Sequence, residues 1–343
     1  MPDEQLRLNV LNAGGRDPEQ HFGEAAVAND AAHAPVNFHA YAACTGGSFF
    51  RDVTRAVAAR APVLLLLRGD FKDSARALNF LKKAGMTVAV SLKETGLHQI
   101  ANQLADQSKL SRFLRIVALA DGCLAPTSEA ADFYRTVRGD TGSVSFIPTP
   151  YPLHETRWDL SLPIAERRGL LLGTREWEVP SRNHLVALTA ARQISEATGE
   201  PVTVFNFDGR KGERLLSQLG FRPEQLRVLK RASSYREYLR VVAEHKIVFQ
   251  LDTSFVPGQV AGDALLCRTL CIGGNGAIDR IGFPELCGGT RSILELIEIA
   301  TRLIQDSEAY RAAISTAQER AMTNLSFARI AEDLQQFFTK ITG

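Results

Sequence analysis

The sequence has no long hydrophobic run. Its most apolar stretch, 61–67, is far shorter than the ~20 residues a bilayer-spanning helix needs, and a buried parallel strand is expected there instead. Cysteine is scarce and scattered. Cys44, Cys123, Cys267, Cys271 and Cys287 form no CxxC pair and have no histidine at zinc-site spacing, so free buried thiols are the expectation. Charge of one sign is lacking too: a formal net charge of +2 is too mild to point to a nucleic-acid partner. Residues 1–12 begin polar and acidic, without the basic start and apolar stretch of a secretory leader, which leads to the expectation of a cytoplasmic chain. Neither GxxxxGK[ST] nor GxGxxG occurs, so a P-loop nucleotidase and a dinucleotide oxidoreductase are set aside. HExxH and a DxD-like motif at a strand end are absent as well, and no catalytic metal is expected.

What is present is an ordinary globular composition over 343 residues, long enough for two cores. Strand-like and helix-like segments alternate. Strands are expected at 7–13, 37–43, 62–67, 86–92, 122–125 and 143–147. Helices are expected at 48–59 (Ser48 as N-cap), 72–84, 97–105, 110–120 and 129–137. The stretch 148–168, with Pro148, Pro150, Pro152 and Pro163, breaks the pattern and reads as a linker. A second series follows, with strands at 169–172, 202–207, 227–229, 247–251 and 270–272. Its helices are expected at 185–197, 213–219, 235–244, 259–266 and 292–306. The end, 326–341, carries Phe327, Ile330, Leu334, Phe337 and Ile341 at helical spacing, a stripe that must be buried somewhere. Short connections in a repeating βα order predict parallel, doubly wound sheets.

Two segments carry a resemblance. Residues 118–150, ALADGCLAPTSEAADFYRTVRGDTGSVSFIPTP, resemble the end of the N-terminal domain of GT-B glycosyltransferases. An Ala-Asp pair there precedes a strand, a Ser begins a helix and an Ile-Pro closes the domain. Residues 247–274, IVFQLDTSFVPGQVAGDALLCRTLCIGG, resemble the donor segment of retaining glycosyltransferase family 4. The resemblance implies a GT-B architecture of two Rossmann-like domains facing across a cleft. Residues 1–160 would form the acceptor domain and 161–325 the nucleotide-sugar donor domain, with 326–343 a helix returning to the first. It implies transfer of a sugar from a nucleoside diphosphate sugar, UDP- or GDP-linked, to a glycan, lipid or protein acceptor in glycan biosynthesis, with retention and without a metal or other cofactor.

The second segment also has physics of its own. A helix opening at Pro257 or Gly258 turns the N–H groups of Gly258, Gln259 and Val260, which have no partner within the helix, towards an anion. In the resembling family an acid at the position of Asp263 binds ribose hydroxyls. The second acid, eight positions earlier, is Phe255 in this chain, and Asp252 is the nearest carboxylate; Asp252 serves, or backbone groups do, or the site is altered. Arg175, after Gly173, and Arg182 stand where the family carries a phosphate clamp, and Arg grips diphosphate oxygens in a fork. Gly14 and Gly15 follow the first strand, where the family's loop approaches the donor. Thr45-Gly46-Gly47-Ser48 is a rival anion loop. Glu94 and His39 complete the catalytic candidates, with Lys93 and His98 near them. A surface charge is the plain alternative for Asp263, Arg175 and Arg182, and a strand-end turn or a helix start explains Asp252 and Glu94 equally simply. A non-catalytic GT-B-like partner subunit, a sugar-nucleotide epimerase and a two-lobed solute-binding protein are the alternatives. Peripheral membrane contact through arginines of the first domain stays open, and oligomeric state is not legible.

Overall fold

The computed structural model describes residues 5–23, 33–231 and 234–342. The chain divides into two compact units, Met1–Pro152 with Asn324–Gly343, and Leu153–Thr323.

In chain order the first unit holds β1 (Asn9–Leu11), β2 (Gln20–His21), α1 (Phe38–Cys44), β3 (Ser48–Phe50), α2 (Val53–Ala58), β4 (Val63–Leu67) and α3 (Lys72–Lys83). It continues with β5 (Val88–Leu92), α4 (Leu97–Leu104), α5 (Gln107–Leu119), β6 (Gly122–Ala125), α6 (Ser128–Arg138) and β7 (Val144–Phe146). Its sheet runs β2-β3-β1-β4-β5-β6-β7, parallel throughout except for β2, which pairs antiparallel with β3. β4 is VLLLL and buried along its whole length, as a strand covered on both faces must be. β1 lies between β3 and β4, so the winding reverses there, and Gly14-Gly15 follows it.

Two segments of the first unit take a different form from the sequence reading. Residues 37–43 are not a strand: Phe38–Cys44 forms α1, with His39 through Ala43 buried. The aromatic and β-branched residues of 36–41 suggested strand, but Phe38, Tyr41 and Ala42 share a helical face, and burial in the core outweighs local propensity. Residues 48–59 are not one helix. Ser48–Phe50 is β3, and α2 begins after Asp52, whose carboxylate accepts the Thr54 N–H at 2.8 Å. The loop 45–47 therefore leads into a strand, which removes it as an anion-binding helix start.

The second unit holds β8 (Leu170–Leu172), α7 (His184–Thr198), β9 (Val202–Phe205), α8 (Arg210–Gln218), β10 (Leu226–Leu229), α9 (Tyr235–Ala243) and β11 (Ile247–Phe249). After these come α10 (Gln259–Leu266), β12 (Leu270–Ile272), α11 (Ala277–Gly282), α12 (Ile293–Gln305) and α13 (Ser307–Leu325). Its sheet is all parallel, in the order β10-β9-β8-β11-β12. Strands are added outward from β8 first on one side and then on the other. The switch point lies between β8 and β11, the place where doubly wound sheets open a ligand crevice at their strand C-termini.

The last helix, α14 (Phe327–Thr342), packs in the first unit. Its Ile330, Leu334, Phe337 and Phe338 join a buried cluster with Leu8, Val10, Tyr41, Leu64 and Leu66. Tyr151, beside its start, donates its backbone N–H to Leu325 O at 2.8 Å.

Candidate functional site

The second unit gathers most of the candidates at the C-terminal ends of β8, β11 and β12. The loop after β8 (173–183) ends in a 3-10 turn, Pro180–Arg182, and is stitched to the segment after β11. Thr253 donates its N–H to Ser181 O at 2.8 Å. Asn183 Nδ2 donates to Leu251 O at 2.9 Å, and the hydroxyls of Ser254 and Ser181 bond at 2.8 Å. The Arg182 guanidinium donates to the Asp252 carboxylate. Asp252 is only 3% exposed, and its other oxygen accepts the Ser254 N–H at 2.8 Å. Two residues that the sequence places in different roles are thus partners of one another.

Arg175 is exposed, 3.8 Å from Glu176, and carries its guanidinium over the Phe207 ring. Phe255 occupies the left-handed region, with φ 51, unusual for a bulky residue; its N–H donates to Asn275 Oδ1 at 3.1 Å. Pro257 O accepts the Ile278 N–H. Gly258, at φ 92, is the N-cap of α10, so Gln259, Val260 and Ala261 are the N–H groups that precede the first helical bond. The space beside Gly258 is already taken, since a Cβ there would stand 2.9 Å from Asp279 Oδ2. The glycine is needed for packing within the chain. Val260 reaches the β8 loop: a Cβ on Gly173 would lie 2.7 Å from its Cγ1.

Asp263 is no surface charge. It is 1% exposed, and the Tyr235 hydroxyl from α9 donates to it at 2.6 Å. His184, the first residue of α7, bonds through Nδ1 with the Thr174 hydroxyl at 3.0 Å. Burial holds its pKa down at about 4, so the ring is neutral at pH 7.

The first unit holds the remaining candidates. Gly14 and Gly15 make a tight turn closed by Gly15 N–H to Asn12 O at 2.9 Å. A Cβ on either would meet Asp73 or Asn12. The turn opens on a cavity of about 770 Å³ whose lining includes Arg51, Arg55, Arg76 and Phe80. His39 lies in α1, buried and stacked on Phe49, with ring Nε2 2.9 Å from Pro18 O. Burial lowers its pKa to about 4; Nε2 then carries the hydrogen and donates. Glu94 is exposed and accepts a bond from Gln99 at 3.3 Å. Lys93 turns instead to Asp17, at 2.5 Å. Burial opposes the Asp17 charge, but the Lys93 ammonium and the Asn12 amide together hold its pKa below the ordinary carboxylate value.

Three residues escaped the sequence reading. Asn275 and Asp279, after β12, and Gln250, at the end of β11, all lie buried in the same region. Gln250 Nε2 donates to Asp279 Oδ1 at 3.0 Å. Only the glycine-rich run 273–276 hinted at them. Among the described residues, no group of three or more His, Cys, Asp or Glu stands together as a metal site, and no helix is long and apolar enough to cross a membrane.

No protein-family model matches this chain, and no curated protein matches it. Solved structures do. The chain is similar to Anabaena HepE in complex with UDP and glucose, at 13% identity and TM-score 0.65, over 98% of this chain and 100% of that one. It is also similar to S. aureus TarM in complex with fondaparinux, alpha-GlcNAc-glycerol and UDP, at 10% identity and TM-score 0.59, over 85% of this chain and 60% of that one. A third similar structure, from E. coli, was solved with UDP-2-fluoro glucose, at 10% identity and TM-score 0.59, over 80% and 72% of the two chains. At these identities the likeness defines the fold: GT-B, α/β, with two Rossmann-like units.

Proposed function

We propose that this chain is a glycosyltransferase that moves a sugar from a nucleoside diphosphate sugar to a glycan, lipid or protein acceptor. The observation that carries the reading is the convergence of three loops at the switch point of the second unit. They bring Arg182, the start of α10 and a buried Asp263 into one stitched assembly. That solved structures of the same fold hold UDP or a UDP-sugar supports the nucleotide.

As the sugar leaves, negative charge grows on the departing diphosphate. Arg175, Arg182 and the N–H groups at the start of α10 face that charge, and preorganised donors of this kind are where most rate acceleration comes from. Asp263, already held by the Tyr235 hydroxyl, takes the ribose-binding role that the family resemblance gives its position. In the first unit the turn at Gly14 and Gly15 approaches the donor, and the region of Glu94 and His39 takes the acceptor. His39, neutral and donating to Pro18 O, orients that region. Asp252 acts through Arg182 as a positioning residue, its carboxylate being engaged by that guanidinium and by Ser254. Retention without a metal is the reading that the resemblance to retaining glycosyltransferase family 4 adds.

A non-catalytic partner subunit is the second reading, favoured by Phe255 in the place of an acid. Incubation with UDP- and GDP-sugars, followed by measurement of released nucleoside diphosphate, separates the two. Release dependent on Arg182 and Asp263 is expected. Saturable nucleotide binding with no release, with or without candidate acceptors, favours the partner subunit.

A further inference from the structure

The sequence gives Asp279 no role, and the packing around it is unusual. It lies in α11 and is 2% exposed. Three glycines close on its carboxyl. A Cβ on Gly258 would stand 2.9 Å from Oδ2, one on Gly276 2.7 Å from Oδ2, and one on Gly274 2.2 Å from Oδ1. Each glycine belongs to a loop at the end of β11 or β12, and each leaves room for this one side chain. Gln250, which bonds Asp279, extends the contact to the third loop: a Cβ on Gly173 would lie 3.3 Å from Gln250 Oε1. The backbone around the carboxyl is tied as well. Ala277 N–H donates to Val256 O at 2.9 Å, Ile278 N–H to Pro257 O at 3.0 Å, and Asn275 N–H to Asp252 O at 3.1 Å.

We propose that Asp279 is the positioning residue of the donor loops: its carboxyl group fills the space between Gly258, Gly274 and Gly276 and holds the start of α10 in its anion-receiving conformation. The ligand side of this inference rests on the nucleotide-sugar reading given above; the loop-holding side does not. The groups facing Asp279 are the Gln250 amide, the Cys271 thiol at 3.6 Å from Oδ1 and, at longer range, the Asp252 carboxylate. None of the three is a cation. Arg280, its neighbour in sequence, carries its guanidinium over the Phe255 ring. Burial first, and the Asp252 charge next to it, push the Asp279 pKa up to about 7. Ionisation above that pH puts a second buried anion beside Asp252, and the loops must open to hydrate it.

The test is hydrogen exchange of the full chain between pH 5.5 and 8.5, corrected for intrinsic rates, with UDP titrated in parallel, on the parent, Asp279→Asn and Asp279→Ala. Asn keeps the shape of the neutral acid and cannot ionise. In the parent, protection of 255–262 and 273–280 is expected to fall by up to about tenfold per pH unit as pH rises towards 7, the limit for one linked proton, and to level off above 7. UDP affinity falls with it. Asp279→Asn stays protected and binds UDP at every pH as the parent does at pH 5.5. A folded Asp279→Ala is unprotected and weak at every pH. Identical pH profiles for the parent and Asp279→Asn overturn the proposal, as does parental protection in folded Asp279→Ala. A chain that binds no UDP at any pH, yet shows the expected exchange profiles, keeps Asp279 as the loop-holding residue and overturns the donor reading instead.

Discussion

Removing Arg182 is expected to unsettle the second unit before it says anything about phosphate. Asp252 is 3% exposed and takes its charge-assisted bond from Arg182. In Arg182→Ala the Ser254 N–H is left to support a buried carboxylate. Breaking a buried pair from one side costs about 3–5 kcal/mol. The Arg182 side chain is itself 23% exposed, so water offsets part of the loss and the lower figure, about 3 kcal/mol, applies. For a unit of this size each kcal/mol moves the melting temperature by roughly 2–4 °C, which gives a drop of about 6–12 °C.

The check is a double-mutant cycle of Arg182→Gln, Asp252→Asn and the pair, melted side by side. Asp252→Asn alone keeps the Ser254 bond and discards the charge, so its cost is expected to be near 1 kcal/mol. The pair is expected to melt above Arg182→Gln alone, with a coupling of about 2 kcal/mol. Additive losses, or an Arg182→Ala variant melting within 2 °C of the parent (a loss of about 1 kcal/mol or less at this size), would refute the buried ion pair. Nucleotide affinity is then best read in the double variant, where the unit is intact and the guanidinium is gone; a weakening of about 1.5–3 kcal/mol, a lost charge-assisted bond, is expected.

Three further outcomes follow from the same structure. Tyr235→Phe removes a donor to the buried Asp263 and is expected to cost about 1–2 kcal/mol of stability by thermal melting, with a matching loss of nucleotide affinity by calorimetry; an unchanged melt refutes the hydrogen bond. Phe337→Ala empties part of the cluster that holds α14 on the first unit and is expected to cost about 3–5 kcal/mol, read as early exchange of α14 and α1 amides. Asp279 makes stability depend on pH. Its folded pKa, about 7, stands above the ordinary 3.8, so the fold binds its proton more tightly than the unfolded chain does. The stability this contributes is complete below pH 4 and is lost as pH rises through 7, on the order of 4 kcal/mol at about 1.4 kcal/mol per pH unit. The melting temperature of the parent relative to Asp279→Asn should fall across that window and level off above it.

Much of the fold was legible because β4 and β8 are unbroken apolar runs and α3 ends on Lys82, Lys83 and Gly85, signals that act locally. α1 was misread because nearly every residue in it is buried, which erases the contrast that periodicity depends on. α13 was missed because SEAYRAAISTAQERAMTNL has no apolar stripe, and α11 because it is short and flanked by glycine. For the candidate site, the loops announce themselves through glycine and proline, but their partners do not. Nothing local joins Arg182 to Asp252 or Tyr235 to Asp263; these pairs exist because β8, β11 and α9 are neighbours in the sheet and its helical layer. Asp279 in GAIDRIG is an ordinary helical acid until the topology sets it against Gly258.

The central claim is that the second unit binds a nucleoside diphosphate through α10 and Asp263. The most direct measurement is a calorimetric titration of the full chain with UDP, GDP, ADP and dTDP, paired with thermal melts. One of them is predicted to bind saturably and, at about a hundredfold over its Kd, to stabilise the chain by about 2.7 kcal/mol, and Asp263→Ala, still folded, is predicted to weaken that binding. Absence of heat and of any melting shift with all four at millimolar concentration would contradict the account.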